Sequence, residues 1–179
     1  MAGARSAIGD VLVLMDADLS HPPEKLYELL NPILAGDADM VIGSRYVPGG
    51  TTPGWPLWRR WMSRFGGIIS YPLTSVHDSG SGFFAIRRER LIELAPDASG
   101  FKLAFQTLLR ARGRLRVREI PIAFHDRMRG LSKMSFQVAL LFTWQWISAV
   151  CRLPFERAVI LPSGTVARSP LDHESSTVV

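Results

Sequence analysis

The sequence is short of the features that mark several large protein classes. It holds one cysteine, Cys151, in 179 residues, which excludes an internal disulfide framework and any cysteine-built zinc cluster. A single thiol favours a reducing compartment. The first ten residues, MAGARSAIGD, contain no apolar run, so no signal peptide is expected. There is no Walker motif, no Gly-x-Gly-x-x-Gly and no Gly-x-Ser-x-Gly, which removes the P-loop, dinucleotide and serine-hydrolase readings. His21, His77, His125 and His173 lack metal-ligand spacing, and His21, beside two prolines, reads as a structural or capping residue rather than a base. No internal repeat is present.

What is there fits one globular domain. The chain is 47% apolar, too apolar for a disordered polymer and long enough for one real core. Its net charge is +5, unevenly placed. Residues 1–54 carry 3 basic and 7 acidic side chains, a net of −4, whereas residues 55–157 carry 17 and 7, a net of +10. A basic segment of that strength suits a phosphate-bearing partner: nucleic acid, anionic lipid or a phosphorylated substrate. Solvated helix faces would give the same composition. No stacking platform or nucleic-acid motif accompanies the charge, so nucleic acid is not expected as a partner.

The hydrophobic pattern reads as α/β. Asp10–Met15 (DVLVLM) is a short Val/Leu run of the kind buried on both faces of a sheet. Pro22 and Pro23 open a helix, with Ser20 as candidate N-cap, and Gly36 ends it. Ala38–Ile42 is a second strand, which makes a right-handed βαβ unit with parallel strands. A Gly/Pro/Thr loop precedes a helix over 56–66. Phe83–Arg87 reads as a strand and Glu89–Leu94 as a short helix. Leu103–Arg112 reads as a helix capped by Gly113, and Leu115–Phe124 as an extended segment. Met134–Arg152 is a long apolar helix, and the Ser/Thr/Pro-rich tail from Pro162 reads as disordered. A central-looking strand only ten residues into the chain gives the sheet the appearance of lacking its first strands.

Chemistry-bearing residues gather where the strands end. Asp16 and Asp18 follow the first strand, and at spacing i, i+2 an extended chain turns both carboxylates to one side. Ligands of open α/β sheets bind outside the carboxyl ends of the strands. Two carboxylates there suit Mg²⁺ or Mn²⁺ carrying a diphosphate. Gly43-Ser44-Arg45 ends the second strand, offering a hydroxyl, a turn and a guanidinium to phosphate oxygens. His125–Lys133 (HDRMRGLSK) is a basic, glycine-containing loop of the type that closes over phosphates.

Two stretches carry membrane character. Trp55, Trp58 and Trp61 interleave with Arg59, Arg60 and Arg64, a mixture that suits a headgroup interface and equally suits core aromatics with snorkelling arginines. Between Lys133 and Arg152 lie 18 uncharged residues, the lower limit for a span. Gln137, Gln145, Ser148 and Arg152 nevertheless fall within about 80° of one another on a helical wheel, which favours a helix lying in the interface.

Three segments together resemble one family: Asp16-Ala17-Asp18-Leu19-Ser20-His21-Pro22-Pro23-Glu24, Val41-Ile42-Gly43-Ser44-Arg45-Tyr46-Val47-Pro48-Gly49-Gly50, and Ser81-Gly82-Phe83-Phe84-Ala85. Their order and spacing are similar to those of the polyprenol (dolichol) phosphate mannose synthases, glycosyltransferases of family 2. The resemblance covers about residues 7–140. It implies a GT-A fold, a nucleotide-sugar-binding, Rossmann-like sheet with flanking helices, here without its first strands. Residues 1–133 would be the transferase portion, 134–157 an amphipathic membrane-interfacial helix and 158–179 the tail. The implied reaction moves a hexose, mannose from GDP-mannose, onto a polyprenyl phosphate with inversion, at the cytoplasmic face of a membrane to which the protein binds peripherally. A glucose-transferring relative and an inactive membrane-bound fragment are the alternatives.

The resemblance also implies roles. Asp16 and Asp18 would hold the divalent metal and, with Ala17, the donor diphosphate. Arg45, Arg59 and Ser63 would contact the acceptor phosphate. Arg127 and Lys133 would lie on the mobile loop that closes on the donor, and with Asp18 they would carry catalysis. The sequence departs from the family's pattern at Leu131, where the family has glutamate, and at Ser20, where glutamine is frequent. It also has no Pro-Thr-Tyr-Asn-Glu-type motif upstream of Asp10.

Overall fold

The computed structural model describes residues 2–96, 103–125 and 159–160. The apolar helix expected over 134–152 and Arg127 and Lys133 of the basic loop lie outside the described residues, as does the tail expected over 158–179 apart from Val159–Ile160, which pair with Arg116–Val117 as a strand instead of being disordered.

A five-stranded mixed sheet runs in the order β1 (Val11–Leu14), β3 (Phe84–Arg87), β2 (Met40–Ser44), β4 (Arg116–Pro121), β5 (Val159–Ile160). Alternation along the strands sorts their side chains into two cores. Met40, Ile42, Phe84, Ile86 and Val117 face one side, where α4 (Arg88–Leu94) and α5 (Leu103–Ala111) contribute Leu91, Leu94, Ala104 and Leu108. Val41 and Ala85 face the other, against Leu29 and Ile33 of α2 (Leu26–Leu34). This is a three-layer α/β arrangement. A short α1 (Ala2–Ser6), which no periodicity announces, packs Ala4 on the first core.

The expected βαβ unit is modified. β1 and β2 do point the same way, but β3 inserts between them and is antiparallel to both. The crossover through α2 therefore spans one intervening strand. β1 lies at a sheet edge among the described strands. Its residues serve both cores, Val11 and Val13 on one side and Leu12 and Leu14 on the other. All four are only half-buried, so the run is less enclosed than its composition suggested.

Helix boundaries differ in two places. Ser20 does not cap α2; a 3₁₀ turn over Pro23–Lys25 precedes the helix, with no side-chain cap. The helix expected to stop at Gly66 continues as α3 (Leu57–Thr74). It continues because Gly67 is not an exit but part of a close contact. Gly67, Ser70 and Thr74 form the buried face of α3, and small residues let a helix approach its neighbour closely. Helix-breaking propensity is a weak prior that such packing overrides. Elsewhere glycine acts as expected, with Gly36 (φ +80°) past α2 and Gly113 (φ +78°) past α5 in the left-handed region.

The approach at Gly67 is specific. A Cβ placed there would lie 2.5 Å from the His77 carbonyl oxygen, a backbone atom that cannot swing aside. Gly67→Ala is expected to destabilise the fold by about 1–3 kcal/mol, read as a lowered denaturation midpoint at unchanged slope. A midpoint equal to wild type would contradict this packing.

Candidate active site

β1, β2 and β4 are co-directional and β3 opposes them. The segments after β1 (15–22), after β2 (45–55), before β3 (77–83) and after β4 (122–125) therefore meet at one edge of the sheet. Backbone bonds bind them together: His125 N–H to Ser20 O at 3.2 Å, Phe124 N–H to Thr51 O at 3.0 Å, and Thr51 N–H to Ile122 O at 2.9 Å. This is the carboxyl edge on which ligands of such sheets sit.

Asp16 and Asp18 lie past the end of β1 in a turn, with Leu19 at φ 61°. Strand alternation is thus not what places them. Two local bonds do. The Ser20 N–H and hydroxyl both donate to Asp18 Oδ1, a side-chain–backbone turn, and this explains why Ser20 is not a helix cap. The Asp16 N–H donates to His21 Nδ1 at 3.0 Å. Asp16 and Ala17 are exposed and Asp18 is half-buried. Both carboxylates act on the same ring, since each raises the proton affinity of His21. The pair supplies hard oxygen donors, and among the described residues no third His, Cys, Asp or Glu joins them. That donor set fits a Mg²⁺- or Mn²⁺-type ion that takes its remaining ligands from phosphate and water.

Arg45 is the best-anchored side chain of the edge. Asp78 Oδ2 accepts its backbone N–H at 2.9 Å and its Nε–H at 2.7 Å, and Asp78 Oδ1 accepts Nη2–H at 2.6 Å. The side chains are 12% and 2% exposed. Burial alone would loosen the Arg45 proton, but Asp78 outweighs it and the guanidinium holds its charge more firmly than usual. The rings of Tyr46, Trp55 and Phe124 lie 5.3–5.5 Å from its Cζ. Such a fork presents five N–H donors, of which Asp78 takes the Nε and one on Nη2.

Arg59 also lies over Trp55, its Cζ 4.0 Å from the ring centre. The Tyr46 hydroxyl donates to Ser63 Oγ, and burial pushes the Tyr46 phenol up, which keeps it a donor. Arg45, Arg59 and Ser63 are thus brought together through Trp55 and Tyr46. Ser44 is not part of the opening: it is fully buried, so the hydroxyl expected from Gly-Ser-Arg does not face a ligand. The tight turn beyond it needs Gly50, where a Cβ would lie 2.6 Å from the Arg45 carbonyl carbon.

The two halves of the edge share His21 and Phe124. The imidazole stacks on Phe83 (5.1 Å, 15°) and meets Phe124 edge-on (5.1 Å), while Phe124 flanks Arg45. Asp78 and Glu119 are the residues that sequence reasoning missed, while the structural reading of His21 and the core reading of Trp55 hold. A lone Asp in His77-Asp78-Ser79-Gly80 carries no periodic signal. Glu119, within Arg-Val-Arg-Glu-Ile, reads as the solvated face of a strand.

Among known proteins, residues 1–95 match Glycosyl transferase family 2. The dolichol-phosphate mannosyltransferase of Pyrococcus furiosus is 40% identical over 136 residues, 74% of this chain and 38% of that protein. The polyprenol monophosphomannose synthase of Mycolicibacterium smegmatis is 46% identical over 132 residues, 70% and 49% of the two chains. The dolichol-phosphate mannosyltransferase of Saccharomyces cerevisiae is 36% identical over 156 residues, 81% and 57%. The chain therefore spans about half the length of the curated relatives it matches. Glucosyl-3-phosphoglycerate synthase from Mycobacterium tuberculosis, solved with phosphoglyceric acid, superposes with a TM-score of 0.58 at 20% identity, covering 85% of this chain and 53% of that one. The same enzyme solved with Mn²⁺, UDP-glucose and glycerol 3-phosphate gives 0.57 at 19%. The likeness is one of fold.

The site geometry makes a pH prediction. Burial lowers the His21 pKa below its ordinary 6.5, against the opposing pull of Asp16 and Asp18, and the bond from Asp16 N–H requires Nδ1 to be unprotonated. The unfolded chain then takes up the proton first, so stability present above about pH 6.5 is lost as pH falls from there toward the folded-state pKa. A ¹H–¹³C NMR titration of the His21 ring is expected to give a midpoint below 6.5 with the proton on Nε2. A midpoint above 6.5 would contradict the assignment.

The matched residues cover more than half of the chain, the fold is that of a GT-A sheet, and the aspartate pair stands at its carboxyl edge: the chain belongs to glycosyltransferase family 2.

Proposed function

We propose that the protein is a glycosyltransferase that moves mannose from GDP-mannose onto a polyprenyl phosphate at a membrane surface. The observation that carries this reading is the pairing, on one sheet edge, of a carboxylate site (Asp16, Asp18) with a buried, aspartate-anchored arginine (Arg45). One half suits a metal-bound diphosphate and the other a phosphate monoester. The names of the family relatives supply the choice of mannose and of a polyprenyl phosphate.

In this reaction a phosphate oxygen of the lipid attacks the anomeric carbon, the bond from that carbon to the nucleoside diphosphate breaks, and the configuration inverts. The acceptor phosphate has a second pKa of about 6 and is largely dianionic at neutral pH, so it needs no general base, and none is assigned. Arg45 and Arg59 orient it, with Ser63 at the same opening. A divalent ion, when bound, supplies positive charge to the departing diphosphate. Asp16 and Asp18 hold that ion in a turn that His21 and Ser20 fix. Arg127 and Lys133 are assigned to the same diphosphate on the family resemblance.

Membrane attachment is supported by α3. Trp58, Trp61, Phe65 and Ile68 are 60–70% exposed, and they share one side of the helix, opposite Gly67, Ser70 and Thr74. Trp55 alone of the segment's tryptophans is buried, so the membrane-facing reading of Trp58 and Trp61 is preferred over core packing. No helix among the described residues is long and apolar enough to cross a membrane.

Asp18→Asn is expected to lower Mn²⁺-dependent transfer of radiolabelled mannose to farnesyl phosphate by about 10²-fold or more. Transfer by this variant at near-wild-type rate would overturn the metal assignment. UDP-glucose outperforming GDP-mannose in the same assay would overturn the sugar.

A further inference from the structure

Arg45 is held by more than its immediate partner. Asp78 itself sits on Glu119 of β4. Glu119 Oε1 accepts the Asp78 N–H at 3.0 Å, and Oε2 accepts the His77 N–H at 2.9 Å and pairs with His77 Nδ1 at 2.8 Å. One carboxylate thus grips two successive backbone N–H groups and fixes the chain at 77–78. Turn bonds extend this grip, with Ser81 N–H donating to Asp78 O at 3.1 Å and Ser81 Oγ donating to Gly43 O at 2.7 Å. The result is a chain of contacts from strand β4 through Glu119 and Asp78 to the Arg45 fork, every link within hydrogen-bond distance. The Asp78 and Glu119 side chains are only 2% and 7% exposed.

We propose that Asp78 and Glu119 are positioning residues: Glu119 sets the backbone at His77–Asp78, and Asp78 turns the Arg45 guanidinium so that its Nη1 side meets the acceptor phosphate. The inference rests on the reading of Arg45 as an acceptor-phosphate residue. Neither carboxylate touches the substrate. Both would repel a phosphate in direct contact, so their burial behind Arg45 is what makes them compatible with an anion site. A guanidinium on its flexible stem samples many orientations. Here two contacts from one carboxylate and three flanking rings leave a single one, and the entropy of ordering is met on folding rather than on binding.

The test compares wild type with Arg45→Ala, Asp78→Asn, Asp78→Glu and Glu119→Gln. Farnesyl phosphate affinity is measured by calorimetry, and the Arg45 Nε–H signal is followed by ¹H–¹⁵N NMR. Asp78→Glu keeps the buried charge and guards against a variant that does not fold. Expected results are a loss of affinity of about tenfold or more for Arg45→Ala and for both Asp78 variants, and a smaller loss for Glu119→Gln. The Arg45 Nε–H signal should be sharp and ligand-responsive in wild type and exchange-broadened in the Asp78 variants. If Arg45→Ala weakens binding while folded Asp78→Glu and Glu119→Gln bind as wild type does, the positioning role is overturned and the acceptor-phosphate reading stands. If Arg45→Ala binds as wild type does, or wild type does not bind, the acceptor-phosphate reading falls and this inference with it. Variants that lower thermal stability but leave affinity and the Nε–H signal unchanged would show a purely structural pair.

Discussion

The arrangement of the carboxyl edge depends on the buried pair between Arg45 and Asp78. An arginine enclosed by three aromatic rings is expensive to remove from water, and only a partner of opposite charge with matched geometry offsets that. Removing the partner of such a pair costs about 3–5 kcal/mol because a charge is left buried alone. Asp78 meets the requirement with both oxygens and accepts the Arg45 backbone N–H as well. The loop after β2 and the loop before β3 are thereby tied together. Gly67 brings α3 against the His77 carbonyl, so the same loop also registers the helix that carries Arg59 and Ser63.

A second clamp of the same kind stands at the opposite end of the strands. Asp39 Oδ2 accepts the Arg116 N–H at 3.0 Å and Nε–H at 3.2 Å, and Oδ1 accepts Nη2–H at 2.9 Å. Burial pushes the Asp39 carboxyl up, and Arg116 more than reverses this, holding it below the usual range. Asp39 precedes β2 and Arg116 opens β4, while Arg45 follows β2 and Glu119 lies within β4. The parallel β2–β4 pair is thus tied at one end directly, by Asp39 and Arg116, and at the other indirectly, from Arg45 through Asp78 to Glu119. The Arg116 side chain is about half-exposed, so its pair contributes less than its geometry alone would suggest.

Much of this was legible in the residues. Strands β1 to β4, the placement of α2 and α5, and the aspartate and arginine motifs at strand ends follow from apolar runs, glycines and short-range spacing, whereas β5 falls in the segment read as tail. What was not legible depends on partners far apart in sequence. The insertion of β3 between β1 and β2 is a pairing choice that no local pattern encodes. α3 passes through Gly67 because the His77 backbone lies against it, in a contact made only after the chain has turned back past Thr74. Ser20 reads as a cap by type, yet its hydroxyl finds Asp18 first. Asp78 and Glu119 became visible only when strand β4 and the 77–78 segment were side by side. Of the two readings of the Trp/Arg segment, each holds for a different tryptophan: Trp55 is core, while Trp58 and Trp61 face outward.

In the proposed function, the turn that holds Asp16 and Asp18 would bind a nucleotide-sugar diphosphate through a divalent ion. Calorimetric titration of the protein with GDP-mannose, with and without Mn²⁺, tests it directly. Saturable binding that requires Mn²⁺ and disappears in Asp16→Asn is the predicted result. Binding of equal strength in the presence of a chelator, or binding that survives loss of Asp16, would contradict it.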